Sequence, residues 1–156
     1  MRILFIRHAE AVDATEFAGD DLERPLTPAG RKRFGKVVAY LARNYPKPEC
    51  ILSSKAVRAW ETANDYARGV GVKDIVVRDE LNPGATPDDI RQILKEYKDL
   101  EWIALVGHEP DFSKAIAALT SRGKLRMKFK KGAVAEVEWS GRGDATLRAL
   151  IDPARL

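Results

Sequence analysis

Arg2-Ile3-Leu4-Phe5-Ile6-Arg7-His8 decides how the rest of the chain is read. Residues 3–6 form an unbroken apolar run bounded by arginines. Such a run predicts a strand buried on both faces, the usual state of a strand inside a parallel sheet. The apolar run stops at Arg7-His8, where a parallel strand presents its carboxyl end. Ligands of open α/β sheets bind at that edge. An arginine there offers a planar fork for phosphate oxygens, and the histidine beside it offers a nucleophile or proton carrier.

Working outward, three further apolar strands alternate with amphipathic helices. After a long polar stretch over residues 9–26, Thr27-Pro28 is a cap-then-proline signal. It opens a helix running to Asn44, with Phe34, Val37, Val38 and Leu41 on one face. Cys50–Ser53 is a second strand. A helix from Lys55 to Arg68 follows, with Val57, Trp60, Ala63 and Ala67 inward and Gly69 and Gly71 ending it. Ile75–Val77 is a third strand, and Thr86-Pro87 opens a helix bearing Ile90, Ile93 and Leu94. Trp102–Val106 is a fourth strand, and Phe112, Ala115, Ile116 and Leu119 mark the helix after it.

The last part differs. Residues 124–129, 133–139 and 145–151 alternate with period two, which predicts half-exposed antiparallel strands. The expected architecture is a single α/β domain over residues 1–156. It has three α/β/α layers, a mostly parallel central sheet and an antiparallel C-terminal end.

Composition narrows the function. The 156 residues suffice for one domain with a real core, and 45% hydrophobic against 32% charged residues is the balance of a globular chain. No apolar run approaches the ~20 residues that span a bilayer, and the amino terminus lacks a signal-peptide layout. With a single cysteine, Cys50, no internal disulfide can form, so the expected location is the cytoplasm. A net charge of +4 favours anionic partners without choosing among them.

The four strand ends share one edge whatever the strand order. They deliver Arg7 and His8, then Ser53 and Ser54 with Arg58 one turn on, then Asp79 and Glu80, then His108. The chain's two histidines both stand at such ends. Two arginines, two histidines and a carboxylate on one rim suit a phosphate dianion with acid–base capacity. Two histidines without a carboxylate cluster at ligand spacing argue against a zinc or two-metal phosphatase. Cys50 starts an apolar strand and lacks a following glycine-rich loop, so a cysteine phosphatase is not indicated. The basic stretch Arg122–Lys131 brings no nucleic-acid motif with it. If residues 124–130 are extended, Lys124, Arg126, Lys128 and Lys130 share one face. That face is either a solvated edge or a surface steering an acidic phosphoprotein toward His8.

These motifs resemble the histidine phosphatase superfamily. Arg7-His8 is similar to its signature, and Ser54-Lys55-Ala56-Val57-Arg58-Ala59-Trp60-Glu61-Thr62-Ala63 to its second motif. Val106-Gly107-His108-Glu109-Pro110 is similar to its third, and Arg24-Pro25-Leu26-Thr27-Pro28-Ala29-Gly30 to the segment before its first helix. Ala9 departs from the glycine of many members. The short chain without a large insertion most resembles the SixA-type phosphohistidine phosphatases. The resemblance implies a phosphoglycerate mutase-like fold and a phosphatase without metal or cofactor. It also implies that His8 attacks phosphorus and is transiently phosphorylated, while Arg7, Arg58 and His108 hold the phosphate oxygens. Glu80 is the candidate proton donor and Arg24 a candidate substrate contact. The expected substrate is phosphohistidine in a protein, whose imidazole leaves without a strong acid. A small-molecule phosphomonoesterase and a phosphate-binding module without turnover are the alternatives.

Overall fold

A computed structural model describes all residues, Met1–Leu156. Its parallel strands are β1 (Arg2–Arg7), β2 (Cys50–Ser53), β3 (Ile75–Val77) and β4 (Trp102–Gly107). Its helices are α1 (Pro28–Asn44), α2 (Val57–Val70), α3 (Pro87–Glu96) and α4 (Asp111–Ser121). Two antiparallel strands, β5 (Val134–Glu138) and β6 (Thr146–Ile151), close one side. The sheet order is β3-β2-β4-β1-β5-β6, with β2, β3, β4 and β1 parallel and β5 and β6 antiparallel. This is the three-layer α/β/α architecture with an antiparallel end that the alternation of elements predicts.

Strand periodicity explains the layers. Side chains of successive residues point to opposite faces, so Ile3 and Phe5 join Ile90, Ile93, Phe112 and Ile116 beneath α3 and α4. Leu4 and Ile6 join Phe34, Val37, Ala63 and Tyr66 beneath α1 and α2. In β4, Ile103 and Leu105 take the first face, and Ala104 and Val106 the second. The central strands are therefore sealed on both sides. Truncating a fully buried Phe5 to alanine is expected to cost about 3–5 kcal/mol.

Caps set the helix starts. The Thr27 hydroxyl accepts from Gly30 N at 2.9 Å at the head of α1. Thr86 and Asp89 form a reciprocal capping box at the head of α3. No helix is long and apolar enough to cross a membrane.

Three expectations are corrected. Trp60 is 44% exposed, because Ala59, Ala63 and Ala67 fill the tight α1–α2 contact and leave the ring no room inside. Gly69 lies within α2, where a Cβ would stand 2.1 Å from Val38 Cγ1. It serves helix contact, and the end is made by Gly71 at φ 72°. Residues 124–129 pair with no strand. Their alternation of burial is real, with Phe129 buried and Leu125 and Met127 half-buried, but the ladder is missing. Lining one side of the core by alternate residues requires only an extended segment, not a sheet partner.

Candidate active site

The strand order 2-4-1 sets three motif residues side by side. Arg7 pairs with Gly107 in the β1–β4 register, and His8 N donates to Gly107 O at 3.0 Å. Ser54 N donates to Val106 O at 3.1 Å on the other side of β4. The chain leaves β1 toward α1 on one face and leaves β4 toward α4 on the other. That divergence opens a crevice between the two strand ends. Gly107 allows the turn: a Cβ there would lie 2.6 Å from the Phe112 ring.

The crevice is a cleft of about 320 Å³ lined by Arg7, His8, Arg24, Arg58, His108 and Lys131 among others. The His8 and His108 rings lie 5.2 Å apart, centroid to centroid. His8 Nδ1 is 2.7 Å from the Ala9 carbonyl, which makes Nδ1 the protonated nitrogen and leaves Nε2 with its lone pair. Ala9 N donates to Thr62 Oγ1 at 3.0 Å, and that hydroxyl donates to Arg58 O at 2.7 Å. The second motif thus braces the first from behind.

Burial holds both imidazoles neutral. His8 is pushed down to about 3, chiefly by loss of solvent, with Arg58, Arg7 and Arg24 adding to the effect and the Ala9 carbonyl opposing it. His108 is likewise lowered to about 3 by burial, then by His8 and Arg58. Its Nε2 is 2.9 Å from Ser54 Oγ, and the same hydroxyl donates to Asn82 Oδ1 at 3.1 Å.

The arginines are tethered but unsaturated. Arg7 Nη1 donates to Phe129 O at 2.8 Å. Arg58 donates to Asp21 O at 2.8 Å and to Asp21 Oδ2 at 3.2 Å. Burial lowers the proton affinity of both guanidiniums, partly offset by Glu109 for Arg7 and by Asp21 for Arg58. Arg7 Nε, Arg58 Nε and His108 Nδ1 are buried without a protein hydrogen-bond partner. Arg7 and Arg58 thus keep guanidinium N–H groups that no protein acceptor takes, which suits an anion with several oxygens.

The cleft brings together Arg7, His8, Arg58, His108 and Arg24, and leaves out Glu80. Glu80 sits in a one-turn 3₁₀ segment after β3 and forms a two-pronged pair with Arg78 at 2.7 and 3.1 Å. Hydrogen bonding to Arg78 holds its carboxyl down at about 2. Arg24 donates through Nε to Asp21 Oδ1 at 2.9 Å and through Nη1 to Val12 O, so Asp21 joins two cleft arginines. Sequence reasoning missed Asp21, Asn82, Lys131 and Glu109. Asp21 opens a one-turn 3₁₀ segment and the other three sit in turns and loops, all without a periodic pattern. Only Glu109, next to His108 in the third motif, stood beside a residue singled out from the strand ends.

Comparison with known proteins agrees with this geometry. Residues 3–91, more than half of the chain, match the model of the histidine phosphatase superfamily (branch 1). An uncharacterised protein of Mycobacterium leprae (strain TN) is 29% identical over 147 residues, covering 88% of this chain and 89% of its own. The protein histidine phosphatase SixA complexed with tungstate superposes with a TM-score of 0.90 at 22% identity, covering 99% of each chain. A mycobacterial glucosyl-3-phosphoglycerate phosphatase superposes with a TM-score of 0.72 at 16% identity, covering 94% of this chain and 96% of its own.

Proposed function

The chain belongs to the histidine phosphatase superfamily, and from that premise we propose that it is a metal-independent phosphatase acting through a phosphorylated His8, with phosphohistidine in a protein as its substrate. The observation that carries the reaction is the state of His8: neutral, with Nδ1 committed to the Ala9 carbonyl and Nε2 free in a cleft walled by Arg7 and Arg58. In-line attack by Nε2 forms the N–P bond as the bond to the leaving group breaks. Arg7, Arg58 and His108 take the equatorial oxygens, and the guanidinium N–H groups are the donors that tighten as charge shifts. Arg24 approaches the substrate from the loop before α1.

The substrate class follows from the leaving group. An alkoxide needs a proton from an acid, and Glu80 lies outside the cleft as an ionised partner of Arg78. A phosphorylated imidazole leaves as a neutral base once its second ring nitrogen is protonated, and with a pKa of about 6.5 that proton comes from solvent without a strong acid. The likeness to SixA and the absence of any large insertion between the strands point the same way. The likeness to glucosyl-3-phosphoglycerate phosphatase favours the second reading, a small-molecule phosphomonoesterase. Turnover of a phosphohistidine protein beside a panel of alkyl phosphates separates them. We expect kcat/KM to favour the phosphohistidine protein, and Glu80→Gln to change it by less than about threefold. Preference for an alkyl phosphate, lost in Glu80→Gln, would establish the second reading instead.

A further inference from the structure

Hydrolysis of a phosphorylated histidine must dispose of a proton from water, and the four residues that hold the phosphate offer no good acceptor. His8 Nδ1 is already committed to the Ala9 carbonyl. His108 is buried beside His8 and Arg58, which disfavour a second proton on its ring. Glu80 lies outside the cleft, tied to Arg78. Two carboxylates do line the cleft, Asp13 and Glu109. Asp13 is exposed, and its Oδ1 accepts both the backbone N–H and the hydroxyl of Thr15, which binds it to its own loop.

Glu109 is placed differently. It follows His108 directly and is half-buried. Its Oε1 accepts from Ser113 N at 2.8 Å in the first turn of α4, where Pro110 provides no side-chain cap. That bond fixes the carboxylate on a rigid element and leaves Oε2 without a protein partner. The carboxylate is also close enough to Arg7 to oppose the effect of burial on that guanidinium. An anion facing a phosphate cleft is unfavourable for binding the dianion. The helix dipole favours a carboxylate at this start, but the cap uses only Oε1 and leaves Oε2 available.

We propose that Glu109 is the general base of the second half-reaction, a step that rests on the phosphorylated His8 proposed above. Water attacks phosphorus and the new O–P bond forms as the P–Nε2 bond breaks. The electron pair returns to Nε2, and Glu109 Oε2 takes the water's proton. Inorganic phosphate departs, and the carboxyl proton passes to solvent.

The test uses the whole chain with an aryl phosphate, whose phenolate leaves without an acid and reports the first half-reaction by colour. Glu109→Gln keeps the Oε1 acceptor for Ser113 N and removes the base. In rapid mixing, the expected result is a burst approaching one phenolate per enzyme. A steady rate at least about tenfold below wild type follows, with acid-labile phosphoryl accumulating on His8. A steady rate within twofold of wild type would overturn the proposal. So would burst and steady rate falling in proportion without accumulation, which is the mark of a merely structural role. Accumulation in Asp13→Asn rather than Glu109→Gln would move the base to Asp13 and overturn it too. If wild type itself carries no phosphoryl on His8 during turnover, the proposed function fails first and this step fails with it.

Discussion

The floor of the cleft and its rim are built by different means. His8, Arg58 and His108 on the floor are 6%, 4% and 3% exposed. His8 and His108 stand at the ends of strands sealed between two apolar layers, and Arg58 stands in the first turn of α2, whose inner face packs on the sheet. Asp13, Arg24 and Lys131 on the rim come from loops and are held by hydrogen bonds to their own surroundings or stand in solvent. A floor held by core packing keeps its groups aligned, whereas a rim on loops can change without disturbing the core. The expectation is that chemistry resides in the floor, and partner choice in the rim.

The sharpest break of that contrast is on the floor. His8→Ala should lower turnover by on the order of 10⁴-fold or more while leaving the melting temperature near or above wild type. Next comes a pair of arginines. Arg58→Ala should lower kcat/KM by about 10²–10³-fold and weaken inhibition by inorganic phosphate, as expected for a lost oxyanion donor. Arg24→Ala should cost about tenfold or less. Equal losses at both positions would erase the distinction between floor and rim.

A smaller effect is read in stability. Above pH 6.5 both imidazoles are neutral whether folded or not, and they contribute nothing to pH dependence. As pH falls, the unfolded imidazoles take up protons that the folded ones, lowered to about 3, refuse. Folding stability should therefore decline from pH 6.5 toward about 3, by up to about 1.4 kcal/mol per pH unit for each imidazole. His8→Asn should flatten that decline measurably in urea titrations at pH 7 and pH 5. An unchanged slope would mean that burial of His8 is less complete than the structure indicates.

The smallest effect belongs beyond the rim. Lys124 and Lys128 are exposed on the unpaired extended segment that leads to Lys131. Replacing both by glutamate should lower kcat/KM several-fold for an acidic phosphoprotein at low salt, and barely alter a small phosphate ester. The gap should close at 1 M salt, where the Debye length is about 3 Å. Identical responses of the two substrates would make the segment a solvated surface only.

The same division governs what was legible in the sequence. Arg7, His8, Ser54 and His108 follow apolar runs, so their arrival on one sheet edge needs only the parallel alternation of strands and helices. The unbroken apolar run over residues 3–6 likewise foretold a strand buried on both faces. Asp21 and Asn82 were not legible, because loop side chains act through contacts about 30 residues apart, with Arg58 and Ser54 respectively. Glu80 illustrates the limit. Its position after β3 put it at the correct edge, but pairing with Arg78 turns it aside. The 124–129 segment shows a second limit, since alternation reports which side chains are buried and not whether the backbone finds a partner strand.

The central claim is that His8 Nε2 carries the phosphoryl group. The direct measurement is rapid quench of wild type during turnover of a labelled substrate, followed by mapping of the acid-labile label. The expected result is a single phosphoryl group on the peptide holding His8, absent from His8→Ala and more abundant when water attack is slowed. Turnover by wild type with no label on His8, or label of equal amount in His8→Ala, would contradict it.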